Sequence, residues 1–134
     1  MSDIHTAYDA VQHCTALKTS RDKIVSMDCP YTGKGEEFSP TNWVEAALGG
    51  CILLAMGTLA MRNEIDLTGA RIDVDISATD KPIMRFQSID VQITMPAGLS
   101  KTDRIKLQRA AEGCPIKHSF ASDIPLNVSY KYPD

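Results

Sequence analysis

Hydrophobic and polar positions divide the chain into stretches of different period. Between Ala70 and Thr79, Ile72, Val74 and Ile76 alternate with Arg71, Asp73 and Asp75. This period of two predicts a strand buried on one face. Arg85 to Met95 alternates similarly through Phe86, Ile89, Val91 and Ile93, with a slip of phase near Ser88 that predicts a β-bulge. Asp80-Lys81-Pro82 is the turn between the two, and Pro96-Ala97-Gly98 ends the second. Residues 126–131 alternate as a last strand. Nearer the N-terminus, residues 8–19 carry Ala10, Cys14, Ala16 and Leu17 among polar neighbours and read as one strand. Ser20-Arg21-Asp22-Lys23 reads as a polar turn, and Ile24 to Met27 as the returning arm of a hairpin. A loop with Pro30, Gly33 and Gly35 follows.

Two stretches have helical character. Ser39-Pro40 opens the first: serine is a good N-cap, and proline loses no hydrogen bond at the first helical position. The helix extends to about Arg62 or Asn63. From Ala46 onward its apolar residues cover every face, which predicts burial nearly all round. Gly49, Gly50 and Gly57 each cost about 1 kcal/mol relative to alanine. They imply that another helix or a subunit partner packs close to the backbone. The second helix covers about 101–113, capped by Ser100 with Asp103 three residues on, and faces Ile105, Leu107 and Ala110 or Ala111 inward. Gly113 ends it, and Pro115 can begin a further helical turn. The expected order is β-β-α-β-β-α-α-β, an α+β fold in a single domain over residues 1–134.

Charge and composition narrow the function. The net charge is -3 and no block of Lys and Arg forms a phosphate footprint, so no nucleic-acid partner is expected. The first twenty residues contain no apolar segment of a secretory signal. The apolar run from Ala46 to Met61, about 16 residues with three glycines, falls short of the roughly 20 that span a bilayer. No membrane partner is expected, and the expected compartment is the cytoplasm, where thiols stay reduced unless they turn over. Four cysteines without any CxxC argue against a zinc ribbon and a thioredoxin motif.

Two of those cysteines stand in informative contexts. Cys51 lies mid-helix in the run Ala46 to Gly57, where it gains nothing from a helix N-terminus. Its ionisation needs a cation, an Arg from elsewhere in the fold. Without one, Cys51 is a small core residue. Cys114, in Glu112-Gly113-Cys114-Pro115, becomes an N-cap if Pro115 begins a helix, and the helix dipole then favours its thiolate. His118 would stack over the same turn. The plainer reading makes Cys114 a cap and His118 a surface residue. A metal site on this pair lacks further ligands at useful spacing. Cys29 reads as an incidental exposed loop thiol, and Trp43, Phe86, Met56 and Met61 as core or pocket lining.

The segment Ser39-Pro40-Thr41-Asn42-Trp43-Val44-Glu45-Ala46-Ala47-Leu48-Gly49-Gly50-Cys51 resembles the signature helix of the OsmC/Ohr family. Gly113-Cys114-Pro115-Ile116 resembles its second cysteine motif. The resemblance covers nearly the whole chain. It implies an intertwined homodimer with antiparallel sheets wrapped around two long central helices. It also implies a thiol peroxidase for organic or lipid hydroperoxides that uses no metal, flavin or haem. Cys51 would attack the peroxide and become a sulfenic acid. Cys114 would resolve it to a disulfide, and an external dithiol, lipoyl-type in some members, would reduce that disulfide. Arg21 is the best positional match to the Arg that activates the first thiolate; Arg62 and Arg85 are weaker ones.

One departure stands out. The family usually has a Glu in the first turn of the signature helix, and this chain has Thr41 and Asn42. Glu45 is the nearest carboxylate; six residues at about 100° each place it about 120° around the helix from Cys51. Either Glu45 replaces the acid or Asn42 orients the Arg as a neutral acceptor. The alternative function is a diverged relative that binds a small apolar ligand or senses redox state without efficient turnover. A purely structural role for both cysteines is the third option.

Overall fold

The computed structural model describes residues 2–133, which form two compact units that meet in sequence between Val44 and Glu45. In the N-terminal unit, β1 (Ile4–Ala10), β2 (His13–Lys18) and β3 (Lys23–Asp28) form an antiparallel sheet in that order. The single strand expected over 8–19 is therefore the end of one strand and the whole of the next. The reversal lies at Val11-Gln12, where Gln12 takes a φ of 55° and its N–H donates to the Tyr8 hydroxyl at 3.0 Å. No Gly or Asn-Gly signals this turn, because a side-chain contact holds glutamine in the left-handed region that glycine usually fills.

The following loop is tied down by Asp28. Its buried carboxylate accepts the N–H groups of Glu36 at 3.1 Å and Glu37 at 3.3 Å. Trp43 donates its indole N–H to the Ser26 carbonyl at 3.0 Å and packs on Phe38 with ring centroids 4.5 Å apart. Ser39 and Asn42 form a reciprocal cap: the Ser39 N–H donates to Asn42 Oδ1 at 3.0 Å, and the Asn42 N–H to Ser39 Oγ at 3.1 Å. They start α1 (Pro40–Arg62) where the sequence predicts.

The C-terminal unit contains the rest of α1 and β4 (Arg71–Thr79), β5 (Arg85–Thr94), α2 (Lys101–Ala111), a 3₁₀ turn (Lys117–Ser119) and β6 (Leu126–Lys131). The sheet order is β4-β5-β6. β4 is antiparallel to β5, while β5 and β6 are parallel, as the α2 crossover allows. The expected bulge is present. Ser77 pairs with Ser88 but Ala78 with Phe86, which leaves Gln87 unmatched. The Ser100 hydroxyl accepts the Asp103 N–H at 3.1 Å, as the capping pattern requires.

The core joins Leu48, Ile52, Met56 and Ala60 of α1 to Ile89, Val91 and Ile93 of β5 and to Leu107 and Ala111 of α2. The helical spacing of the α1 set marks its one buried face. Leu54 and Met61 lie exposed at 74% and 83%, so burial all round is not achieved within one chain. Ile105 is exposed as well, not inward, since it lies off the Leu107–Ala111 line that meets the core. Gly49 is crowded by β4 rather than by a helix, and a Cβ at Gly50 or Gly57 would meet nothing within 4 Å. Because α1 starts at Pro40, its 23 residues are long and apolar enough to cross a membrane by length and composition, unlike the shorter run counted from Ala46.

Candidate functional site

The C-terminal unit brings Cys51 and Cys114 together. Cys51 comes from the middle of α1, half-buried, one residue before the buried Ile52. Cys114 comes from the end of α2. The Gly113 N–H turns back to the Ala110 carbonyl at 3.0 Å, and a Cβ on Gly113 would lie 3.3 Å from that oxygen. The sharp exit directs Cys114 into the core, where it is 0% exposed. There it joins the cluster against which Cys51 packs, and all four cysteines of the chain are free.

Cys114 does not cap a helix. Residues 115–116 form an open turn, and among the described residues beyond them only the three of the 3₁₀ turn, whose N-cap is Ile116, are helical. So short a segment has no aligned dipole to lower the thiol pKa. Burial pushes the Cys114 thiol up, and the neighbouring Cys51 adds to the rise. The backbone N–H groups of Lys117, 3.4 Å from the sulfur, and of Ile116 offset part of it.

The flanking polar side chains serve this turn. His118 Nε2 donates to the Glu112 carbonyl at 2.6 Å, and Lys117 Nζ pairs with the Glu112 carboxylate. Both brace the end of α2 around Cys114. Among the described residues no cluster of three or more His, Cys, Asp or Glu is placed to hold a metal ion.

The other site candidates fall elsewhere. The Glu45 carboxylate accepts the Ile76 N–H at 3.0 Å, an amide on the open edge of β4. Beside it a cavity of about 250 Å³ is lined by Gly49, Gly50, Ile72, Asp73 and Val74. Arg21 belongs to the N-terminal unit, exposed in the β2–β3 turn with its N–H on the Lys18 carbonyl at 3.3 Å. Arg85 is held by Asp123 in a two-pronged pair at 2.9 and 2.7 Å. Of the expected lining residues, Met56 is fully buried, Met61 is exposed, and Phe86 faces Phe120 at 6.4 Å. Cys29 is half-buried, and its thiol pKa is lowered by hydrogen bonding from Thr32, whose N–H lies 3.4 Å from the sulfur.

Sequence reasoning missed the Lys117 amide at Cys114 and the Glu45 bond to Ile76. Neither leaves a local signal: the first is a backbone group, and the second links residues 31 positions apart.

The fold is a mixed α+β one with two helices and two sheets, and its C-terminal unit carries both Cys51 and Cys114. The OsmC-like protein family matches residues 33–129, and the chain belongs to that family. Among solved structures it is similar to a putative osmotic stress induced and detoxification response protein from Psychrobacter arcticus. The two are 26% identical over 97% of this chain and 96% of that one, with a TM-score of 0.89. An OsmC-like protein from Mycoplasma pneumoniae is 17% identical over 97% and 95%, with a TM-score of 0.84. The organic hydroperoxide resistance protein OhrB of Bacillus subtilis is 13% identical over 96% and 97%, with a TM-score of 0.69. No curated protein matches the sequence.

Proposed function

We propose that the protein is a cytoplasmic, homodimeric thiol peroxidase that reduces organic or lipid hydroperoxides to alcohols. The observation that carries this reading is the meeting of two free thiols in one core, Cys114 buried within it and Cys51 packed against the same cluster. Cys51, the less buried of the two, is the proposed nucleophile and Cys114 the proposed resolving thiol. The thiolate of Cys51 attacks the peroxide O–O bond and becomes a sulfenic acid; Cys114 condenses with it to a disulfide, and water leaves. An external dithiol, of lipoyl type, restores both thiols. By the family resemblance, Arg21 is the candidate for the cation that favours the Cys51 thiolate, and Glu45 the candidate for the carboxylate that holds that Arg.

Support for the dimer lies in what one chain leaves uncovered. Leu54 and Met61 are exposed on α1, every residue of β1 is exposed, and β1 and β4 are both sheet edges. Apolar faces and open edges of this kind are usually covered. Sedimentation of the intact chain should give twice the monomer mass, and Leu54→Glu should lower it.

The test of activity is consumption of cumene hydroperoxide by wild type and Cys51→Ser, with dihydrolipoamide or a monothiol as reductant. Turnover that requires Cys51 and prefers the dithiol is expected; turnover that survives Cys51→Ser sinks the reading. A second reading, a diverged relative that binds a small apolar ligand or senses redox state, is favoured by one observation. The first turn of α1 carries Thr41 and Asn42, and Asn42 is engaged in the Ser39 cap. Absence of turnover with both thiols still reduced would select it.

A further inference from the structure

Cys114 opens a turn that is tied within itself. The Ser119 hydroxyl donates to the Pro115 carbonyl at 2.7 Å, and the Ser119 N–H to the Ile116 carbonyl at 3.1 Å. The Lys117 N–H lies 3.4 Å from Cys114 Sγ. The helical ladder of α2 stops short of this unit: Glu112 is the C-cap, and the Gly113 N–H turns back to the Ala110 carbonyl. A carbonyl at a helix end has no amide four residues on to bond it. His118 fills that role for Glu112, with Nε2 on the carbonyl oxygen at 2.6 Å. Lys117 Nζ pairs with the Glu112 carboxylate, but that side chain is 56% exposed, and an ion pair so wetted contributes little. The His118 bond is therefore the firmer of the two that fasten the turn to α2. Gly113, between that anchor and Cys114, has no side chain to limit its backbone.

We propose that His118 is a positioning residue for the resolving step, an assignment that rests on the peroxidase reading. Its bond to the Glu112 carbonyl holds the turn at the angle from which Cys114 attacks oxidised Cys51. In that step an S–S bond forms between Cys114 and the Cys51 sulfenic sulfur, and the S–O bond breaks. The hydroxyl leaves with the Cys114 proton as water. The sulfenic sulfur is reduced as the Cys114 sulfur is oxidised, so no further oxidant enters. A disulfide tolerates a narrow geometry, with Cα atoms about 4.4–6.8 Å apart and a dihedral near 90°. Cys114 is 0% exposed, and a side chain packed on all sides has little room to swing. Its approach is set by the turn that carries it. Attack on the peroxide belongs to Cys51 on α1 and draws nothing from His118, so the two steps should separate.

The test is a single turnover of the reduced full chain with cumene hydroperoxide in the presence of dimedone, which traps sulfenic acid. Alcohol release reports oxidation of Cys51. The share of Cys51 found by mass spectrometry as disulfide or as dimedone adduct reports the resolving step. His118 is exposed, so its replacement should leave the chain folded. His118→Leu should release alcohol at the wild-type rate and move Cys51 from disulfide to adduct. Resolution should slow by about 10-fold, since misplacing a reacting group by about 1 Å costs about 10²-fold. His118→Gln, whose amide can donate to the same carbonyl, should recover most of the disulfide. A role in stability alone would slow both steps or neither. In wild type, nitrogen NMR should show the His118 proton on Nε2, a readout independent of how the variants fold. An unchanged partition in His118→Leu, equal slowing of both steps, His118→Gln no better than His118→Leu, or a His118 proton on Nδ1 alone overturns the proposal while leaving the peroxidase reading intact. Wild type that releases alcohol without forming the Cys51–Cys114 disulfide overturns it as well. If wild type releases no alcohol, the peroxidase reading itself fails, and this proposal with it.

Discussion

A Cβ built on Gly49 would lie 2.9 Å from Cγ2 of Ile72, which brings the α1 backbone directly onto β4. Gly49→Ala gains about 1 kcal/mol of helix propensity. The added methyl must displace a β-branched side chain in a packed core, which costs about 1–3 kcal/mol. The net expectation is a lower urea midpoint with an unchanged m-value. Gly49→Ala with Ile72→Val, which shortens the strand side chain but keeps Cγ2, should relieve little of the loss. Gly49→Ala with Ile72→Ala should relieve more of the clash, read as a coupling in a double-mutant cycle.

Glu45 has two possible duties that one substitution separates. Its carboxylate caps the Ile76 N–H at 3.0 Å. Glu45→Ala should cost about 1–2 kcal/mol, because the amide loses its acceptor. Glu45→Gln keeps an acceptor oxygen and removes the charge, so stability should be retained. A fall in hydroperoxide turnover in Glu45→Gln at unchanged stability would mark a charge-dependent role in catalysis.

Tyr130 carries a buried hydroxyl with no hydrogen-bond partner among the described residues. Burial, reinforced by Glu112 and Tyr132, pushes its pKa to about 12 from the ordinary 10. The folded state therefore holds this proton more tightly than the unfolded state. The stabilisation is full below pH 10 and is lost as pH rises toward 12. Absorbance titration at alkaline pH should show one late-ionising tyrosine that Tyr130→Phe removes. The same substitution should leave stability unchanged or raise it by about 1 kcal/mol, since no bond is lost.

In the N-terminal unit, His13 Nδ1 and Asp9 Oδ1 lie 2.5 Å apart across the β1–β2 turn, and Thr15 donates to the other Asp9 oxygen. Asp9 raises the His13 pKa above the ordinary 6.5, with weaker help from Glu37 and from Asp28, which pairs with His13 in register. Hydrogen bonds from Thr15 and His13 lower the Asp9 pKa below 3.8. The His13 contribution is full below pH 6.5 and fades as pH rises through its raised value. The Asp9 contribution is present above pH 3.8 and fades as pH falls through its lowered value. In an NMR titration Asp9→Asn should bring His13 back toward 6.5.

Where local rules govern, the chain was readable. Ser39-Pro40 starts α1 and Ser100 starts α2, because a cap is made by residues within one turn of each other. The phase slip near Ser88 marks the unmatched Gln87, because period two cannot survive an extra residue. The split of residues 8–19 escaped because Gln12 adopts its φ through the Tyr8 hydroxyl rather than by propensity. Ile105 was misplaced because a short helix offers two neighbouring apolar lines, and only packing selects one.

The sequence by itself determined the class of fold, the long apolar helix that carries Cys51, and the two cysteine contexts that tie the chain to the OsmC-like family. These are written in periodicity, caps and short motifs, all of which act over a few residues. Only the tertiary structure decided that Cys114 enters the core and that the Glu45 carboxylate meets the Ile76 N–H on the edge of β4. The proton preference of a thiol depends on desolvation and on the atoms around it. Those atoms come from α1, the end of α2 and the turn after it, and they meet only when the chain folds.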